Sequence, residues 1–174
     1  MHYLYFVKVS KDCKNAEEAK DDATTALDAN NFASDEGGYF SASRADWYVV
    51  GGRWSGELSK ILLKKDFFKE LKKRYPLPKK YGFYTDDFVK ENADKFQALW
   101  EELGGMGHNP YARDHYRHEG FDDDAMKITL ELLKAMKKYK DVEVFDAVNC
   151  VEYPVKKLTK NDIGYWLVVI DYHN

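Results

Sequence analysis

Two apolar, aromatic-rich runs near the ends of the sequence, HYLYFVKVS (His2 to Ser10) and YWLVVIDY (Tyr165 to Tyr172), constrain the fold more than any other feature. Their β-branched and aromatic residues suit a pleated, half-buried surface, so both read as strands. A sheet that takes strands from both ends must close across the whole chain. WYVV (Trp47 to Val50), which stops at Gly51-Gly52, and Val142 to Tyr153 supply two more strands. Between the strands lie helical spacings. Ala16, Ala19, Ala23, Ala26 and Leu27 recur within Asn15 to Asn31; FFKELKKRY follows Asp66, a natural N-cap; Phe88, Phe96, Leu99, Trp100 and Leu103 fall within Asp86 to Leu103; and apolar positions repeat through Asp124 to Tyr139. Glu57 to Lys64 fits either a hairpin or a helix. The predicted class is α+β: a ferredoxin-like antiparallel sheet of about four strands, with helices on one face and a helical insertion after the second strand.

Composition narrows the function classes. The length of 174 residues suits one domain, and no repeat, low-complexity tract or linker divides 1-174. Lys and Arg total 27 against 30 Asp and Glu, a net charge of -3, which argues against a chain that coats duplex DNA or anionic lipid with its whole surface. Charge is uneven, however: Glu57 to Tyr81 carries nine basic and three acidic residues. No apolar run approaches the ~18 residues of a membrane helix, and the opening run has neither a basic leader nor a small-residue cleavage site, so no membrane partner is expected. Cys13 and Cys150 form neither a disulfide framework nor a metal cluster, which suits a reducing cytoplasm.

Three stretches carry candidate chemistry. In Asp46-Trp47-Tyr48-Val49-Val50-Gly51-Gly52-Arg53-Trp54-Ser55-Gly56 the paired glycines strip side chains from a strand end, so backbone N–H groups there can face an anion. The Arg53 fork suits a carboxylate or phosphate, with indole surface from Trp47 and Trp54 on either side. The competing structural reading is a hairpin with Arg53 stacked between core tryptophans. In the last strand Asp171 and His173 share a face because side chains alternate, and a carboxylate beside an imidazole serves general acid/base chemistry. Solvation of a polar strand end is the plain alternative. From Gly104 to Asp123 runs a stretch of about twenty residues without hydrophobic periodicity, which marks a site loop or a surface loop. It holds Met106, Gly107, His108, Asn109, Arg113, Asp114, His115, Arg117, His118 and Glu119. Arg113 and Arg117 can neutralise phosphate charge while His108 donates a hydrogen bond. No metal-ligand spacing such as CxxC or HExxH is present, and P-loop, dinucleotide-binding and nucleophile-elbow motifs are all missing, so neither metal nor cofactor is expected.

Asp46 to Gly56, Gly104-Gly105-Met106-Gly107 and Leu167 to His173 (LVVIDYH) together resemble a family of small, uncharacterised bacterial and phage proteins. That family is marked by a D-W-Y-x-x-G-G-R-W-x-G element, a G-x-M-G turn and a closing strand ending D-C-H or similar. The chain departs from it at His108-Asn109-Pro110, where an aromatic run is usual, and at Tyr172, where Cys is usual. The resemblance implies that Arg53, the Met106-Gly107 turn and the Asp171/His173 strand end converge on one place. It also implies a phage setting, in which binding or destroying a host signalling nucleotide is a recurrent role.

The reading that follows is a binder of a small phosphate-bearing ligand, a nucleotide or nucleotide signal. Its predicted ligand-binding residues are Gly51, Gly52, Arg53, Trp47, Trp54, Met106, Gly107, His108, Arg113 and Arg117. If the protein is an enzyme, it is a phosphoester hydrolase in which Asp171 orients His173 for proton transfer. Two alternatives stand beside it. One is a non-enzymatic module that docks a host or defence protein through the aromatic GGRW surface and the basic stretch Lys60 to Lys80. The other is a single-stranded nucleic acid binder that uses exposed sheet aromatics.

Overall fold

A computed structural model describes residues 1–34, 38–40, 43–77, 82–112 and 122–174. Its elements run β1 (His2–Val9), α1 (Ala16–Ala29), β2 (Trp47–Val50), α2 (Glu57–Arg74), α3 (Asp86–Glu91), α4 (Ala93–Glu102), β3 (Ala125–Lys127), α5 (Leu130–Ala135), β4 (Glu143–Asp146), β5 (Val151–Pro154) and β6 (Trp166–His173), with short 3-10 turns between some of them.

β6 is the axis of the sheet. One of its edges pairs antiparallel with β1 along its full length, from His2 opposite His173 to Val9 opposite Trp166. Its other edge is shared end to end. β2 pairs antiparallel with the stretch from Ile170 to His173, and β3 with that from Trp166 to Val168. β1 continues the sheet to β4 in parallel, and β4 to β5 antiparallel.

Alternation along β1 and β6 feeds two cores. Tyr5, Val7, Val168 and Ile170 meet Ala19, Ala23 and Leu27 of α1, whose i, i+4, i+8 spacing presents one stripe to the sheet. Phe6, Leu167 and Val169 point the other way and pack against Leu58 of α2 and Leu132 of α5. Each such fully buried side chain contributes roughly 1.5–3 kcal/mol. A third cluster, Phe67, Leu71, Tyr84, Phe96, Leu99 and Trp100, binds α2 to α4 apart from the sheet contacts.

The α+β class is observed, but the sheet has six strands rather than four, includes a parallel pair, and carries helices on both faces. A ferredoxin-like arrangement is not confirmed. The physical reasons are local. WLVVI is buried on both faces, so a continuous apolar run here marks a two-sided strand. Ala125–Lys127 is too short for a two-residue period to show against the helical spacing after it. Val142 to Tyr153 is a hairpin rather than one strand: Asp146 Oδ1 accepts from the N–H groups of Val148 and Asn149 at 3.1 and 3.0 Å, turning the chain. No described helix is long and apolar enough to cross a membrane.

Candidate functional site at the end of the sheet

Where β2 stops, the Gly51 N–H donates to Val169 O at 2.8 Å, and the chain leaves through the gap between β2 and β3. Gly51, Gly52 and Gly56 have φ of 74°, 52° and 76°. Shape matters as much as φ at the first two. A Cβ on Gly51 would lie 2.3 Å from Asp124 Oδ2, and one on Gly52 would lie 2.5 Å from Asp171 Oδ2. Both carboxylates are buried, at 0% and 1% exposure, and the turn supplies their donors. Arg53 N–H reaches Asp171 Oδ2 at 2.8 Å; Ser55 Oγ–H and Gly56 N–H reach Asp124 at 2.7 and 3.0 Å. Trp54 and Ser55 N–H groups close onto Gly51 and Gly52 carbonyls. These N–H groups therefore serve the protein's own carboxylates and carbonyls, and side chains are what the turn offers a ligand. Arg53 is exposed, while Trp54 is half-buried against the α2/α5 core, its Nε1 without a hydrogen-bond partner among the described residues.

Asp171 and His173 do share a face of β6, yet they are not each other's partners. Asp171 Oδ1 lies 3.0 Å from His2 Nδ1, and His173 Nδ1 lies 3.1 Å from Asp46 Oδ2. Geometry explains the exchange: alternate residues of one strand stand about 7 Å apart, whereas side chains on adjacent strands come closer. His2 and Trp47 sit opposite His173 on its two sides. The imidazoles of His2 and His173 are 5.4 Å apart at 75°, and the Trp47 indole stacks parallel to His173 at 5.7 Å. Trp47 is 43% exposed, and the His2 and His173 side chains are 20% and 35% exposed. His173 Nε2 is 2.9 Å from the Met1 nitrogen. A carboxylate on Nδ1 fixes the ring and its tautomer, which makes Nε2 the nitrogen that exchanges protons.

The G-x-M-G turn is built on α4. Trp100 Nε1–H donates to Met106 O at 3.1 Å, Gln97 Nε2–H to Gly107 O at 2.8 Å, and Asn109 N–H to Gln97 Oε1 at 3.1 Å. His108 and Asn109 line a hollow of about 210 Å³ with Phe96, Gln97 and Tyr111. The structure thus gathers Asp46, Trp47, Gly51, Gly52, Arg53, Asp171 and His173 around the end of β6, and anchors Met106 and Gly107 to a helix of the third cluster. Arg113 and Arg117, with Asp114, His115, His118 and Glu119, lie outside the described residues. Among the described residues no group of three or more His, Cys, Asp or Glu side chains has a metal-binding arrangement.

Sequence reasoning passed over His2, Asp46 and Asp124. The signal for His2 was its place in an apolar strand whose antiparallel register sets residue 2 against residue 173. In comparisons with known proteins, no family model, no curated protein and no solved structure matches this chain.

Proposed function

We propose that the end of the sheet binds a small phosphate-bearing ligand, a nucleotide or nucleotide signal, and hydrolyses a phosphoester within it. The observation that supports this reading is the pair of imidazoles, 5.4 Å apart, each with a carboxylate on Nδ1, beside an exposed indole. His2, held by Asp171, takes a proton from the attacking water. As the new P–O bond forms and the ester P–O bond breaks, protonated His173 gives its proton to the leaving oxygen. Such paired proton transfer is worth roughly 10²–10⁴ in rate. Asp171 and Asp46 are positioning residues, Trp47 stacks a base or ring, and Arg53 meets phosphate charge. Met1, 74% exposed, is the group a ligand displaces from His173 Nε2. The resemblance to bacterial and phage proteins makes cytoplasmic signalling nucleotides of a host the first class to test.

The test is a thermal-shift and hydrolysis screen against nucleotides and cyclic dinucleotides. A ligand is expected to raise Tm in the wild type, and the shift is expected to vanish in Arg53→Ala and Trp47→Ala. Hydrolysis of that ligand is expected to fall in His2→Ala and His173→Ala. No shift with any member of the panel would overturn the reading. A second reading, docking of a host or defence protein, is favoured by Trp47 and Val49 standing exposed together on β2, the outer strand at this end.

A further inference from the structure

The helical stripe of α5 runs on past the end of the helix. Leu133, Met136, Lys137 and Lys140 stand at i, i+3, i+4 and i+7, so α5 and the 3-10 turn Met136–Tyr139 that continues it present them along one side, apolar residues first and lysines last. Beside this stripe lies a second 3-10 turn, Val155–Lys157, followed by Leu158 as its C-cap. Two backbone bonds tie the segments together: Val155 N–H donates to Val142 O at 2.8 Å, and Lys156 N–H donates to Lys140 O at 2.9 Å. Between them is a cleft of about 340 Å³, lined by the four residues of the stripe and by Val155, Lys156 and Leu158. None of these seven belongs to the strand-end cluster.

Polarity in the cleft is graded by depth. Met136 and Val155 are its buried floor, at 1% and 4% exposure, and the half-buried Leu133 and Leu158 pack against the same core. The three lysines are exposed. A lysine lays its methylene stem along apolar surface and keeps its ammonium group in water, so the stems extend the apolar wall and the charges stand at the mouth. Lys156 Nζ lies 3.0 Å from Asp141 Oδ1, which offsets one charge of the three; Lys137 and Lys140 make no ion pair among the described residues.

This lining defines its guest. The floor gains from apolar contact and the rim from an anion, so the molecule that satisfies both has a tail and one charged end. Lysines are point charges without a planar fork, so they recognise the charge of the head more than its shape. The volume is at the small end of the range for small-molecule sites, which suits a single chain. A docked helix would instead need several anchor pockets along its length. Met136 adds an unbranched thioether that adapts to the outline of a chain.

We infer that the cleft between α5 and residues 155–158 binds a free medium-chain fatty acid, its tail against Leu133, Met136, Val155 and Leu158 and its carboxylate at Lys137 and Lys140. This site stands or falls without the strand-end reading.

Isothermal titration of the full chain with octanoate, octan-1-ol and acetate tests the inference. Octanoate is expected to bind with an affinity that falls as salt is raised, octan-1-ol to bind more weakly for want of a charge, and acetate not to bind. Lys137→Glu combined with Lys140→Glu is expected to weaken octanoate binding by at least about tenfold, one factor of ten corresponding to 1.4 kcal/mol. Leu158→Gln, checked for folding by circular dichroism, is expected to weaken both octanoate and octan-1-ol. Lys95→Glu on α4, Arg53→Ala and His173→Ala are expected to bind octanoate as the wild type does. No binding of octanoate to wild type at about 1 mM overturns the site. Unchanged octanoate binding in the lysine pair or in Leu158→Gln does so too, as does equal weakening in Lys95→Glu, which marks diffuse charge. Octan-1-ol binding as tightly as octanoate removes the role of the head, and acetate binding as tightly removes that of the tail; either overturns the inference. Co-sedimentation with phosphatidylglycerol vesicles without octanoate binding overturns it in favour of a membrane surface, and binding of an acidic amphipathic peptide without octanoate binding overturns it in favour of a docked helix.

Discussion

The turns Gly51–Gly56 and Gly104–Gly107 look alike in sequence, and they owe their glycines to different neighbours. In the first, each of the paired glycines makes room for a buried carboxylate, Asp124 or Asp171, that then accepts hydrogen bonds from the turn. In the second, a Cβ on Gly105 would lie 2.2 Å from Trp100 Cε2, so the glycine makes room for an indole. A buried carboxylate without donors costs far more than a loosely packed ring, which makes the first turn the less forgiving. It is also the turn next to histidines. A glycine pair that wraps an acid is a structural device first, and chemistry becomes available where that acid has an oxygen left for an imidazole.

Substitutions can break or sharpen this contrast. The largest effect is expected from Gly52→Ala, where positive φ and a 2.5 Å approach to Asp171 act together; chemical denaturation should show a loss of about 4 kcal/mol. Asp124→Ala removes the buried acceptor of the Ser55 hydroxyl and the Gly56 N–H, and about 3 kcal/mol is expected by the same measurement. Gly105→Ala meets only the ring and is expected to cost about 2 kcal/mol, with Trp100 fluorescence shifting because the indole must move. If Gly105→Ala proves as damaging as Gly52→Ala, the distinction between the two turns fails. Trp100→Phe loses the Nε1–H bond to Met106 O and part of the buried ring's packing; about 2 kcal/mol is expected.

A pH scan sharpens the role of buried acids further. Burial pushes the Asp146 carboxyl up, but hydrogen bonds from Lys8 and Asn149 outweigh it and hold the group below its usual range. A group depressed on folding contributes stability above its unfolded value and loses it as pH falls through the folded one. Stability is therefore expected to decline as pH drops below the ordinary carboxylate range. Asp146→Asn is expected to lack that part of the decline, as measured by Tm from neutral to acid pH.

The sequence makes the first and last strands, α1 and the glycine element legible because each carries a strong local signal. β1 and β6 are read within a residue or two, and Asn15 announces α1 by accepting from Glu18 N–H as its N-cap. α2 is the opposite case. It starts at Glu57 and passes straight through Asp66, because burial of Leu58, Phe67 and Leu71 outweighs a capping residue in mid-helix. Asn92, serving as C-cap of α3 and N-cap of α4, breaks what the apolar spacing presents as a single helix. In the site, Asp171 and His173 are legible from alternation. Their actual partners are not, because cross-strand register is a tertiary fact that no local spacing encodes. Asp46 stands inside a legible motif, but nothing local marks it as a partner of His173, because that link spans most of the chain.

β6 follows every other described element in sequence, yet three strands pair with it directly. During synthesis β2 and β3, which pair with β6 alone among the described strands, and one edge of β1 must wait until residues 166–173 clear the ribosome. β1, β4 and β5 can pair without β6, but the other half of the sheet closes only through that strand, and such non-local closure slows folding. The period of greatest vulnerability to aggregation or proteolysis then lasts until that strand is free to pair.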